Sequence, residues 1–196
     1  ENILKSMAFY IVNEIKELIF NSLIMEDNGN ELLPVVDESG NTIGKISRRE
    51  AHNGTKTLHP VVHLHVFNTA GDIYLQKRSE NKLIQPGKWD TSVGGHISYN
   101  ESILDALRRE ASEELGITDF SPVFLYSYLF ESDREYEYIN VFYTIYDGII
   151  TPDYAEVSEG KYWNIDDIKT NIGKDTLTPN FKKEIMGVID FLSSNK

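Results

Sequence analysis

The sequence contains no cysteine. That removes disulfides, thiolate metal ligands and cysteine nucleophiles together, and it suits a reducing cytoplasm. No apolar run comes near the roughly 18 residues that a membrane span needs. The opening stretch, "ENILKSMAFYIVNEIKELIF", scatters acids and lysines where a secretory leader would be uninterrupted. Positive charge is scarce as well: 19 Lys and Arg face 31 Asp and Glu, for a formal charge of -12. A surface this acidic repels nucleic acid polymers and anionic lipid, so neither is an expected partner. Small anionic substrates stay open, because a bound divalent cation can dominate the field inside a pocket.

What is present is ordinary for a globular chain: 196 residues, 40% hydrophobic and 26% charged. That length favours one domain with a decoration over two small cores. Ile3, Leu4, Met7, Ile11, Ile15, Leu18 and Ile19 recur at helical spacing, which predicts an N-terminal helical extension over residues 1–30. "LLPVVDESGNTIGKI" reads as two short strands about an Asp/Gly/Asn turn, and "VVHLHVFNTAGDIYLQKRS" as a hairpin. Two further strands flank "SDRE". A closing helix starts in "TPNFKKEIMGVIDFL", with Thr178 as cap and Pro179 at the first helical position. Strands mixed with a few helices predict an α/β sandwich, the sheet covered on both faces.

One segment, "GGHISYNESILDALRREASEELGI", crowds Glu110, Glu113 and Glu114 onto neighbouring turns of a single helix. Asn100 or Ser98 can cap it, Ser98-x-x-Glu101 having the form of a capping box, and Gly116 stops it. Ile103, Leu104, Leu107, Ala111 and Leu115 form its apolar stripe, and the three acids lie at the edge of that stripe. Two unit charges about 4 Å apart interact by roughly 4 kcal/mol at an effective dielectric of 20. Arg109 can offset part of this from four residues before Glu113. A hard divalent cation held through oxygens would neutralise the rest.

Gly95, Glu101 and the run Arg109-Glu110-Ala111-Ser112-Glu113-Glu114-Leu115-Gly116-Ile117 resemble a complete Nudix box. The resemblance implies a Nudix α/β/α sandwich with a mixed sheet over residues 31–196. It also implies cleavage of a nucleotide or other small diphosphate with Mg²⁺ or Mn²⁺. By the same resemblance Glu110 and Glu114 are the principal metal ligands, Glu113 a further ligand or base, and Gly95 a carbonyl ligand. Glu101 and Arg109 would orient them. Lys77 and Arg78, at a strand end, are candidates to hold the outer phosphate.

"AHNGTKTLHPVVHLHVFN" and "PGKWDTSVGGH" narrow the resemblance to the branch containing isopentenyl diphosphate isomerase and its hydrolase-like relatives. Matching places the isomerase's histidines at His52, His59 and His96 and its glutamates at Glu135 and Glu137. Its catalytic cysteine falls on Gly94. A glycine has no side chain to supply a proton, so isomerase activity is not expected. The three histidines with Glu135 or Glu137 form a second metal site, or a glutamate completes the first. His63 and His65 are read as alternating strand residues. A non-catalytic diphosphate-binding domain is the alternative to an enzyme. The N-terminal helix packs on its own domain or exchanges across a homodimer.

Overall fold

The computed structural model describes residues 29–80, 85–154 and 157–194. The helix expected at the N-terminus and residues 81–84 of the loop before Trp89 lie outside them. The two short strands are β1 (Leu32–Val36) and β2 (Thr42–Ser47), paired antiparallel as a small sheet of their own. They lead into a single helical turn, α1 (Arg48–Ala51), closed by a capping box between Ser47 and Glu50.

The main sheet has seven strands built around β3 (Leu58–Phe67), every residue of which is buried. Along one edge β3 runs parallel to β8 (Tyr136–Ile145) over its whole length. Its other edge pairs antiparallel with β6 (Val93–His96) and then turns through Asn68–Asp72 into β4 (Ile73–Arg78). Strand β4 also pairs with β5 (Trp89–Asp90) and β9 (Val157–Trp163), and β7 (Val123–Glu131) lies outside β8. One parallel pair among antiparallel ones makes the sheet mixed, as expected.

Burial of β3 on both faces requires cover on both. Val62, Leu64 and Val66 point to one side, where they pack with Ala106, Leu107, Ala111 and Leu115 of α2 (Ile103–Leu115). Val61 and Phe67 point to the other, against Ile168 of α3 (Ile165–Asn171) and Phe181, Ile185 and Val188 of α4 (Pro179–Ser194). At about 25 cal/mol per Å² of apolar surface, these two cores are what hold the helices to the sheet.

Three expectations need correction. Helix α2 is capped by Ser102, whose side chain accepts the Asp105 N–H, and not by Ser98 or Asn100. Ser98 and Glu101 do pair (Glu101 carboxylate to Ser98 N–H, 3.0 Å), but in the turn ahead of the helix. The buried stripe includes Ala106, while Ile103 and Leu104 are exposed. Third, Thr178 does occupy the cap position before Pro179, its carbonyl accepting the Lys182 N–H at 3.1 Å, but its hydroxyl donates to Asp90 at 2.7 Å. Gly116 ends α2 in the left-handed conformation, φ 66°, as its residue type allows.

Candidate active site

The helix α2 and the strand β6 meet at Gly95. A Cβ on Gly95 would collide with Cγ and Cδ of Glu110, so the missing side chain is the hollow that seats that carboxylate. The Glu110 side chain is 14% exposed and Glu113 60%. Glu114 is half-buried, and one oxygen accepts from the Gln76 amide at 2.6 Å. The three acids thus share one edge of the helix at different depths.

Arg109 ties this edge together. Its guanidinium donates to both Glu101 oxygens at 2.9 Å, to Glu110 at 2.8 Å and to Glu113 at 3.2 Å. It also donates to the His96 carbonyl at 3.0 Å. One cation therefore fixes the end of β6 against the acids. Glu114 has no cationic partner among the described residues. Burial and the neighbouring Glu110 push its carboxyl up to about 8. Burial also raises Glu110, though Arg109 opposes it. Acids lifted in this way are short of positive charge, which fits a divalent cation.

A second cluster lies on the other side of the sheet end. His52 follows α1, His59 is the second residue of β3, and His96 ends β6. One ring nitrogen from each lies within 4.8 Å of the others. His52 Nε2 is 2.9 Å from His96 Nε2 and 3.6 Å from Glu135. The Thr57 carbonyl lies 2.9 Å from His59 Nδ1 and can only accept, so the proton sits on Nδ1. His59 Nε2 is then a lone pair, buried with no hydrogen-bond partner among the described residues. Burial pushes all three imidazoles down, His52 to about 4, and so keeps them neutral. Neutral rings with converging lone pairs, one steadied by a backbone carbonyl, fit a metal ion. Glu137 pairs in register with His59, and burial together with Glu135 raises its carboxyl to about 7.

The sequence matched by the NUDIX domain profile is residues 57–183, most of the chain. The chain belongs to the Nudix family. Over 162 residues it is 35% identical to isopentenyl-diphosphate Delta-isomerase 1 of Photorhabdus laumondii, covering 79% of this chain and 92% of that one. A stretch of 87 residues is 38% identical to an uncharacterized Nudix hydrolase of Yersinia pestis, covering 44% and 47% of the two chains. Among solved structures, a Deinococcus radiodurans protein superposes with TM-score 0.69 at 24% identity, over 80% of this chain and 98% of that one. A MutT protein of Methanosarcina mazei gives 0.57 at 28% identity, over 66% and 91%. The Nudix α/β/α fold follows.

Of the other predicted site residues, Arg78 lies at the end of β4 and donates to Asp90 at 3.2 Å. Lys77 precedes it, half-buried on the same strand end. Gly94 is exposed, and a Cβ there would meet His63 and Thr91 at ordinary contact distances of 3.4–3.5 Å. The position of the isomerase cysteine is therefore open in shape and empty in chemistry.

Sequence reasoning missed three partners. Gln76 binds Glu114, and nothing in "IYLQKR" marks it. Glu184, itself bonded by Tyr128, holds His63 and His65, which are more than alternating strand residues. Glu184 accepts from His63 Nδ1 at 2.6 Å, His65 Nε2 at 2.9 Å and the Tyr128 hydroxyl at 2.5 Å. A signal did exist: Glu184 stands three residues after Phe181 and four before Val188, on the apolar stripe of its helix.

Proposed function

We propose that this chain is a metal-dependent pyrophosphohydrolase that cleaves the diphosphate bond of a nucleotide or another small diphosphate. The observation that carries the reading is the unbroken acid set, Glu110 seated on Gly95 and Glu114 left without a cationic partner among the described residues. Glu110 and Glu114 would hold Mg²⁺ or Mn²⁺, with Glu113 and the Gly95 carbonyl as further ligands. When bound there, such an ion would supply positive charge against the negative charge of phosphoryl transfer. Arg109 keeps Glu110 in its hollow and locks β6 to α2. Glu113, exposed and held by Arg109, would serve as a further ligand or as the base that takes the water's proton. Lys77 and Arg78 would meet the outer phosphate, and the histidine cluster with Glu135 would take a second ion.

A panel of nucleotide and non-nucleotide diphosphates with Mg²⁺, followed by product identification, tests this. We expect turnover of at least one member and a loss of more than about 100-fold in Glu114→Gln. No turnover by the wild type, or equal turnover by the variant, would overturn it. Binding without cleavage would mark a diphosphate-binding domain instead.

The similarity to a protein named as an isomerase, together with the histidine cluster, favours a second reading, interconversion of isopentenyl diphosphate. Gly94 argues against it, since the glycine offers no proton. An assay with isopentenyl diphosphate, with Gly94→Cys alongside, separates the two. The substitution fits the space, so activity appearing only in the variant would show that the missing thiol is the obstacle.

A further inference from the structure

The buried acid Glu184 has an effect on the site side of the sheet. Strand residues His59, Val61, His63 and His65 alternate onto the face that α4 covers, and Gly94 and His96 of β6 share that face in register. His63 is paired with Gly94, and His96 with Val61. His63 is therefore the next same-face neighbour of the histidine cluster, at roughly 7 Å along the strand. Glu184 holds its Nδ1 at 2.6 Å, so the ring cannot turn. The other nitrogen, Nε2, faces Gly94, 3.5 Å from where a Cβ would stand. Gly94 is exposed, and the side-chain bond of His63 to Glu184 uses Nδ1, not Nε2. His65 uses the same carboxylate differently. Its second nitrogen faces inward to the Thr91 hydroxyl at 3.3 Å.

We propose that His63, clamped by Glu184, is a substrate-binding residue that offers its Nε2–H to a phosphoryl oxygen of the bound diphosphate across the gap left by Gly94. This rests on the diphosphate reading above. A charged ring is what the surroundings favour: burial opposes the charge, but Glu184, with Asp90 and Glu137 farther off, raises His63 to about 9. An imidazolium donating to a phosphate oxygen makes a charge-assisted bond, roughly twice as strong as a neutral one. The acids of α2 lie on the opposite face, so this contact adds something they do not supply. The glycine matters as much as the histidine, because any larger residue at 94 would stand over Nε2.

The probe is inorganic pyrophosphate with Mg²⁺ on the full chain, measured by calorimetry and by imidazole nitrogen–proton NMR. In the wild type, the His63 Nε2 resonance should shift on titration while the His65 resonances stay in place. His63→Asn keeps a donor for Glu184 but removes Nε2, and should weaken pyrophosphate binding about tenfold. His65→Asn should change it by less than about twofold. Should His63→Asn fail to fold, the wild-type resonances decide the matter alone. Saturating pyrophosphate with no movement of the His63 ring, or equal affinity in a folded His63→Asn, overturns the proposal and leaves the diphosphate reading intact. No binding of any diphosphate by the wild type defeats both.

Discussion

Glu114 and Glu184 are the same residue type on helices that cover opposite faces of one sheet, and their surroundings give them opposite states. Glu114 meets an amide from Gln76 and a second acid, Glu110, and its carboxyl is lifted to about 8. Glu184 is fully buried, yet His63 and His65 hold it well below the usual carboxylate range despite the burial. Depth alone therefore does not decide whether an acid keeps its charge. Neighbours do. The first acid has no cationic partner among the described residues, and the second has its hydrogen-bond partners built in.

The contrast can be broken most forcefully at Glu184. Removing its charge leaves the His63 imidazolium buried without a counter-ion, so Glu184→Gln should lose about 3–5 kcal/mol in denaturant unfolding. Glu114→Gln replaces a carboxyl whose charged form burial and Glu110 already disfavour, and should cost less than about 1 kcal/mol, or raise stability. Similar losses from both would erase the distinction.

A smaller effect sharpens it. Mg²⁺ at 100 times its dissociation constant should stabilise the wild type by about 2.7 kcal/mol, a rise of several degrees in melting temperature. Scanning calorimetry of Glu114→Gln should show most of that rise gone, and Glu184→Gln should retain it.

The smallest effect is in pH. His63 is raised, so its contribution is full below its unfolded value near 6.5 and fades as pH climbs through about 9. Glu184 is depressed, so its contribution is present above its unfolded value near 4.5 and fades as pH falls below it. The gap in stability between wild type and Glu184→Gln should thus be widest near pH 4.5–6.5 and narrow toward pH 9. The groups facing His63 are Glu184 on α4, Asp90 on β5 and Glu137 on β8. A gap that stays constant from pH 5 to 10 would mean the pair does not titrate as a unit.

How much could be read in advance differs between these two regions for a physical reason. The acids of α2, with Gly95, Glu101 and Arg109, occupy one continuous stretch whose spacing is set by a helix, so their grouping survives without coordinates. Even there the helix start slipped, since Ser98, Asn100 and Ser102 are all plausible caps and only backbone geometry selects Ser102. The histidine cluster was reachable through resemblance alone, because His52, His59 and His96 come from a helix end and two strands. The Glu184 cluster was not reached. Its members lie 121 and 119 residues apart along the chain, for His63 and His65 respectively.

By itself, then, the amino-acid order determined the family, the mixed α/β architecture and the acidic edge of α2, because local periodicity and a contiguous motif encode each of them. Only the tertiary structure decided which acids keep their charge, that three histidine rings converge, and that a glutamate on the far helix holds His63 beside Gly94. Those outcomes depend on which strands pair and which faces the helices cover, and no local pattern carries that information.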